Sequence, residues 1–255
     1  MLRLKRLAVL GLFAFCAITA CAFWLLGLPG TAGPGAGMPK AQPAPPQAAG
    51  KFVPLASGSA HAVNITRTVD PGWLARTAAQ TGIPVRALRA YVAAAGMADA
   101  AAPACGIGWN TVAAVGFVES VHGALGGGRL TASGKVTDPI VGPGLNGDGF
   151  AAIADTDGGA LDGDPLWDRA VGPMQFIPST WKLAGRDANG DGVADPHNID
   201  DAALSAAGYL CSGGRDLTTA QGWSDAIWSY NQSEAYLGQV GEKAVEYAEQ
   251  AGPTK

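Results

Sequence analysis

The stretch VGPMQFIPSTWKLAGRDANGDGVADPHNIDD, residues 171–201, carries two adjacent motifs that decide how the chain is interpreted. Its second half places Asp187, Asn189 and Asp191 at alternate positions directly before a glycine. This pattern is the first half of an EF-hand-type loop, because Ca²⁺ prefers hard oxygen ligands arranged around a sharp turn. Position 12 of the loop departs from the usual pattern, since Asn198 stands where a bidentate glutamate is common.

Two acidic residues just after position 12 of the loop are the candidates to replace the missing glutamate. Asp200 and Asp201 follow Asn198, and Asp201 opens a predicted helix. The sequence therefore predicts structural Ca²⁺ as a cofactor. The expected ligands are Asp187, Asn189, Asp191, Val193 and Asp201. The alternative is a solvated turn of Asx and Gly residues that binds no metal.

The N-terminal part of the chain predicts export. Three basic residues among the first six precede an uncharged apolar run over residues 7–28. A membrane-spanning helix needs about 20 such residues, and basic residues before it keep the N-terminus in the cytoplasm. We expect an anchored protein on the extracytoplasmic face of the membrane. Two alternatives stay open: residues 18–21 resemble a lipobox that would lipidate Cys21, and cleavage would give a secreted protein.

Composition divides the chain into three parts. Residues 1–28 form the membrane anchor or signal segment, and residues 29–64 form a linker rich in Pro, Gly and Ala. The linker has too few large apolar side chains to build a core. Residues 65–252 are enough for one domain with a single core.

Two cysteines lie outside the membrane segment, Cys105 and Cys211. Exported cysteines usually pair in an oxidising compartment, so we predict a disulfide, with two buried thiols as the alternative.

Helical spacing of apolar residues predicts a mainly helical domain. Asp70-Pro71 is typical of a helix start, Gly82 of a helix end and Pro84 of the next start. Residues 110–121 are apolar nearly all round, which indicates a buried central helix. Residues 123–168 are rich in Gly and Asp and are predicted to be irregular.

The GPMQFIPSTW motif, followed by the EF-hand-like loop, resembles the lytic murein transglycosylase B family. The resemblance implies a mainly α, lysozyme-like α+β fold with a single catalytic domain. It also implies cleavage of the MurNAc-β-1,4-GlcNAc bond of peptidoglycan without water, which leaves 1,6-anhydromuropeptides. The expected partners are glycan strands, the membrane and the machinery of wall growth or division.

Glu119 is the candidate catalytic residue. It stands near the end of an apolar helix, in the segment VGFVES of residues 115–120, and burial of a carboxyl group among apolar side chains raises its pKa, as a general acid requires. A glutamate that merely reaches solvent at a helix end is the alternative. The resemblance favours catalysis, because the family's acid stands in a helix before the GPxQ segment.

The resemblance also assigns glycan-binding roles. Ser120 would orient the acid, the side chains of residues 174–176 would line the cleft, and three further residues would contact the N-acetyl group or the acid. The full set is Ser120, Met174, Gln175, Phe176, Tyr209, Tyr230 and Asn231. Core packing of the two tyrosines and helix capping by Asn231 are the structural alternatives.

No second carboxylate is evident, although Asp155, Asp157, Asp162 and Asp164 could each approach the site. The net charge of −4, without a basic stripe, argues against nucleic acid as a partner. Two other functions remain open: a non-catalytic wall-binding or scaffold protein on the same fold, and a lysozyme-like hydrolase.

Overall fold

The computed structural model describes residues 39–52, 69–148 and 151–253. Over these residues the chain forms a mainly helical α+β fold, as predicted. The helices are α1 Pro71–Thr81, α2 Val85–Ala101, α3 Trp109–Ser120, α4 Pro178–Ala184, α5 Ile199–Leu210, α6 Ala220–Tyr230 and α7 Glu234–Ala251. The strands are β1 Val141–Gly144 and β2 Arg169–Val171.

The predicted boundaries of the first helices are confirmed. The Asp70 carboxylate accepts the backbone N–H of Trp73, and Pro71 occupies the first turn, where its missing N–H costs nothing. Gly82 ends α1 in the left-handed conformation, and Pro84 occupies the position directly before α2.

Helix α3 lies at the centre of the core, as predicted for residues 110–121. The neighbouring helices α2 and α5 pack against one another, and both carry small, fully buried residues such as Ala94 and Ala203. Arg86 of α2 pairs with the buried carboxylate of Asp200 on α5 through both terminal guanidinium nitrogens. Such a bidentate pair fixes the register of the two helices.

The sheet is small. Strands β1 and β2 pair antiparallel, with Val141 opposite Val171 and Gly144 opposite Arg169. Most of residues 123–168 is irregular, as the Gly/Asp-rich composition predicted, and is closed by isolated bridges such as the one between Ala154 and Trp167.

The predicted disulfide is present. Cys105, before α3, is bonded to Cys211 at the end of α5, with the Cα atoms 5.5 Å apart. In the chain-entropy model, closing a loop of roughly 100 residues stabilises the fold by about 4–5 kcal/mol. The bond therefore holds the start of the central helix against α5.

The predicted membrane segment lies outside the described residues. Within the described ranges, no helix is both long and apolar enough to cross a bilayer.

Part of the predicted linker, residues 39–52, runs along the helical domain as a strap. Its contacts centre on Asn110, which is fully buried near the start of α3. The Asn110 amide accepts the N–H of Ala48 and donates to the carbonyls of Pro46 and Ala244. The Gln47 side chain accepts the N–H of Gly108, so the strap supplies partners for the helix start.

We expect Asn110→Ala to lower the free energy of unfolding by on the order of 2–3 kcal/mol, because several buried groups lose their partner together. Urea titration measures the loss. The matched control is the exposed Gln232→Ala, which should change the unfolding free energy by less than about 0.5 kcal/mol. Equal effects of the two variants would show that the strap does not contribute to the fold.

Candidate active site

The candidate acid, Glu119, sits in the last turn of α3. Its apolar neighbours in the helix include Val112 and Val115, both fully buried, and its own side chain is only 7% exposed. The hydroxyl of Tyr236, near the start of α7, donates a hydrogen bond of 2.6 Å to Glu119 Oε1. The carboxyl group is therefore enclosed and has one polar partner on a neighbouring helix.

Burial raises the pKa of Glu119 to about 8, although the hydrogen bond from Tyr236 lowers it in part. An ionised carboxylate is poorly solvated in such surroundings, so the protonated form is favoured. The pKa of Tyr236 is raised as well, first by burial and then by the charge of Glu119. Glu119 therefore holds its proton at neutral pH, which is the state that a general acid needs.

The Ser120 side chain connects α3 to the segment that follows β2 by hydrogen bonding. Its hydroxyl donates to the carbonyl of Pro173 at 2.6 Å and accepts the N–H of Gly123 at 2.8 Å. Neither partner is the Glu119 carboxyl, the group that Ser120 is expected to orient. Ser120 therefore affects Glu119 by fixing where the end of α3 lies.

Residues 172–176, the GPMQF segment, form a tight turn beside α3. Val171 and Phe176 exchange backbone hydrogen bonds across it. Gly172 has φ 77° and lies against the carbonyl of Pro196, where a Cβ atom would come within 1.8 Å of the oxygen. Only glycine fits this position, so the turn has a fixed shape.

Two of the three side chains predicted to line the cleft are buried. Met174 and Phe176 pack into the core, while Gln175 is partly exposed. Gln175 has φ 49°, an uncommon conformation for a residue other than glycine, and its amide donates to the carbonyl of Gly172. Of these three side chains, Gln175 is therefore the one available to a ligand.

The two candidate tyrosines lie edge to face, with ring centres 5.8 Å apart. The Tyr230 hydroxyl donates to the carbonyl of Met174, and that of Tyr209 donates to the carbonyl of Ser229. Burial, followed by the charge of Glu119, raises the pKa of Tyr230. Tyr230 therefore adjoins both the acid and the GPMQF segment, and Tyr209 is connected to them through it.

Asn231 is exposed and caps the C-terminus of α6, the structural role considered from the sequence. Tyr236, five residues later, is the contact that sequence reasoning missed. Its helical spacing with Val240, Ala244 and Tyr247 indicates only an apolar, core-facing side of a helix, and its burial fits that pattern. Its position just after the Ser233 cap of α7, close in sequence to Tyr230-Asn231, was the available signal.

The acids of the Gly/Asp-rich loop mostly bind their own backbone. Asp155 accepts the N–H groups of residues 157–159, and Asp164 pairs with Arg169. Among the described residues, one group of three acids has carboxylate oxygens within 4.8 Å of one another: Asp155, Asp157 and Asp168. The sequence had not singled out this group.

The predicted calcium ligands lie on a loop that Asp201 closes. Its fully buried carboxylate accepts the N–H groups of Ala188, Asn189 and Asp195, while Asp187 accepts two more N–H groups within the loop. Burial raises the pKa of Asp201, three backbone donors oppose this, and the nearby charge of Asp187 adds to the rise. Each Asp187 oxygen accepts one N–H group and keeps a lone pair that a divalent cation could use, whereas Asp201 Oδ1 accepts two. In the part of the chain that the structure describes, Asp187, Asp191 and Asp201 do not form a group whose carboxylate oxygens lie within 4.8 Å of one another.

Comparison with known proteins gives one family match. Residues 164–224 match the family model described as "Transglycosylase SLT domain". The matched stretch includes the GPMQF segment, the Asp187–Asp201 loop and Tyr209. It supports a relationship to these transglycosylases. Glu119 and Tyr236 lie outside it, and assignment to the B family is not part of the match.

The solved structures that are similar to the chain include the following two. SltB3 from Pseudomonas aeruginosa, in complex with NAG-anhNAM-pentapeptide, is 18% identical with a TM-score of 0.41, covering 69% of this chain and 63% of that one. The Escherichia coli lytic transglycosylase Slt35, in complex with bulgecin A, is 15% identical with a TM-score of 0.42, covering 70% and 74%. The chain thus matches less than two thirds of the length of SltB3. No curated protein sequence matches the chain.

The raised pKa of Glu119 predicts a pH-dependent gain in stability for Glu119→Gln. In the unfolded chain the carboxyl ionises near its ordinary pKa of 4.5, whereas in the fold it ionises near 8. Below pH 4.5, Glu119 therefore does not lower the free energy of unfolding of the wild type. As the pH rises towards 8, the free energy of unfolding falls increasingly. Because glutamine does not ionise, the variant should gain about 3 kcal/mol at pH 7 and little at pH 4.5.

Urea unfolding of the two proteins at several pH values measures this difference. Glu234→Gln, on an exposed side chain, is the matched control and should show no such trend. A constant difference between wild type and Glu119→Gln from pH 4.5 to 8 would contradict the raised pKa.

Proposed function

We propose that the protein is a peptidoglycan lytic transglycosylase of the B family, with Glu119 as its general acid and then its base. The observation that carries the proposal is the enclosed Glu119 carboxyl, protonated at neutral pH, beside Tyr236 and the GPMQF segment. The family match over residues 164–224 supports the reaction class.

In the first step Glu119 gives its proton to the glycosidic oxygen between MurNAc and GlcNAc. The C–O bond to the departing GlcNAc breaks, and the N-acetyl oxygen of MurNAc supplies electrons to the anomeric carbon. One carboxyl group is sufficient for this route, because the substrate itself takes the place of a second carboxylate.

In the second step the Glu119 carboxylate removes the proton from the 6-hydroxyl of MurNAc. The oxygen attacks the anomeric carbon, the bond to the N-acetyl oxygen breaks, and the 1,6-anhydro ring closes. The enclosed surroundings favour this return of the proton, since they destabilise the carboxylate. Glu119 ends the cycle protonated, and no water is consumed.

The neighbouring polar groups would hold the glycan. Gln175 offers an amide to sugar hydroxyls, and Tyr230 stands between Glu119 and the GPMQF segment. Tyr236 would keep the acid in place through its hydrogen bond. Ser120, Met174 and Phe176 would act through the shape of the turn, and Tyr209 and Asn231 would bind at its edge.

The compartment follows from the substrate. Peptidoglycan lies outside the cytoplasmic membrane, in agreement with the predicted export segment and with the Cys105–Cys211 disulfide. We propose a protein tethered at its N-terminus to the outer face of the membrane, within reach of the machinery of wall growth or division.

The decisive test of the reaction is digestion of purified peptidoglycan, followed by mass analysis of the products. Wild type should release fragments with 1,6-anhydro ends. Glu119→Gln should reduce the rate by at least about 10²–10⁴-fold, because one residue serves both proton transfers. Glu234→Gln, the same change on an exposed residue, should leave the rate unchanged.

Other outcomes would identify the other functions. Fragments with reducing ends would show a hydrolase and would direct the search for a second carboxylate to the 155–168 loop. Binding to peptidoglycan without any product from wild type would indicate a wall-binding protein.

We also propose that Ca²⁺, held by Asp187, Asn189, Asp191, Asp201 and the carbonyl of Val193, stabilises the fold and takes no part in the chemistry. A ligand that binds only the native state adds about 2.7 kcal/mol at 100 times its Kd, so chelation should lower Tm by roughly 5–10 °C. Asp187→Ala and Asp191→Ala should lower Tm by a similar amount. Asp225→Ala, which changes a half-exposed residue outside the loop, should not. Unchanged melting together with abolished activity would show instead that the metal is catalytic.

A further inference from the structure

Immediately after Glu119-Ser120, the backbone takes an unusual path. Val121 and His122 both have positive φ, at 52° and 61°. Across the described residues, Gln175 is the one other non-glycine residue with this conformation. A left-handed conformation is unfavourable for residues other than glycine and persists only where its surroundings hold it. Something must therefore hold this turn.

The His122 side chain supplies that hold. It is 5% exposed, and both ring nitrogens have partners. Nδ1 lies 3.1 Å from the hydroxyl of Tyr91 on α2, and Nε2 lies 2.9 Å from the hydroxyl of Tyr247 on α7. A neutral imidazole has one donor and one acceptor, and each hydroxyl can play either part, so the three groups satisfy one another.

Burial and a nearby positive charge both favour the neutral form of the His122 ring. The groups that face it are Tyr91 from α2, Phe117 from α3, and Tyr247 and Lys243 from α7. Burial, followed by the charge of Lys243, lowers the pKa of His122 to about 4. The arrangement is therefore uncharged at neutral pH.

These contacts connect the end of α3 to the two helices beside it. The backbone N–H of His122 donates to the carbonyl of Gly116, one turn before Glu119. The Tyr91 hydroxyl lies so close to Gly116 that a Cβ atom there would be 2.2 Å from its oxygen. Tyr247 belongs to the same helix as Tyr236, which hydrogen-bonds Glu119. The position of the acid thus depends on both ends of this connection.

We propose that His122, held between Tyr91 and Tyr247, is a positioning residue for Glu119: it fixes the left-handed turn that keeps the carboxyl enclosed and against Tyr236. His122 does not touch the substrate and transfers no proton. The kinetic part of this inference rests on the proposed function.

The test is His122→Phe, which keeps a ring of similar size and removes both hydrogen bonds. It should lower kcat by about tenfold or more and change KM by less than about threefold. The alkaline limb of the pH profile should move to lower pH, because a carboxyl group that meets water ionises more readily. Tyr91→Phe and Tyr247→Phe each remove one bond, should shift the limb in the same direction by less, and replace the first variant if it does not fold.

The matched control is Thr81→Val, which removes a buried hydroxyl that bonds to Thr77 in α1. It should lower Tm and leave the pH profile where it is. A merely structural role for His122 would give the same result as this control, and an unmoved alkaline limb in the His122 variant would overturn the proposal.

A second measurement needs no activity and so separates this inference from the proposed function. Glu119→Gln is introduced into wild type and into His122→Phe, or into Tyr247→Phe if the former does not fold, and the gain in unfolding free energy at pH 8 is compared. The gain should be clearly smaller in the variant background, because its Glu119 is already hydrated. Equal gains would overturn the inference even if wild type released no anhydro fragments.

Discussion

The structure depends on keeping one carboxyl group out of water. Glu119 can hold a proton near neutral pH because it is buried in the last turn of α3, and Tyr236, its one hydrogen-bond donor among the described residues, does not supply a charge. An arginine or lysine in the place of Tyr236 would favour the carboxylate and remove the acid. The alanine-rich faces of α2 and α5 and the Cys105–Cys211 bond all serve this enclosure.

The backbone around the acid is held under strain. The three non-glycine residues with positive φ, among those that the structure describes, all lie next to the site: Val121 and His122 after Glu119, and Gln175 in the GPMQF segment. Strain of this kind is stable only if packing and hydrogen bonds leave no alternative, and it is common at functional sites. The Ser120–Pro173 bond joins the two strained turns, so a shift in one would move the other.

What could be predicted from the sequence was local. The Asp70 cap and the Gly82 stop depend on residues within one turn, and the two cysteines outside the predicted membrane segment left a single pairing. The bond between Glu119 and Tyr236 joins residues 117 positions apart, so no local pattern contained it. The strap was missed for the same reason: its composition resembles that of a linker, and its order comes from partners such as Asn110 in the distant α3.

The central claim is that burial holds Glu119 protonated, and a direct titration of that carboxyl tests it best. The chain has five glutamates, so selective ¹³C labelling of glutamate side chains gives a simple NMR spectrum, in which Glu119→Gln identifies the signal. The account predicts that this signal titrates near pH 8. Titration of Glu119 between about pH 4 and 5, the range of an ordinary glutamate, would contradict it.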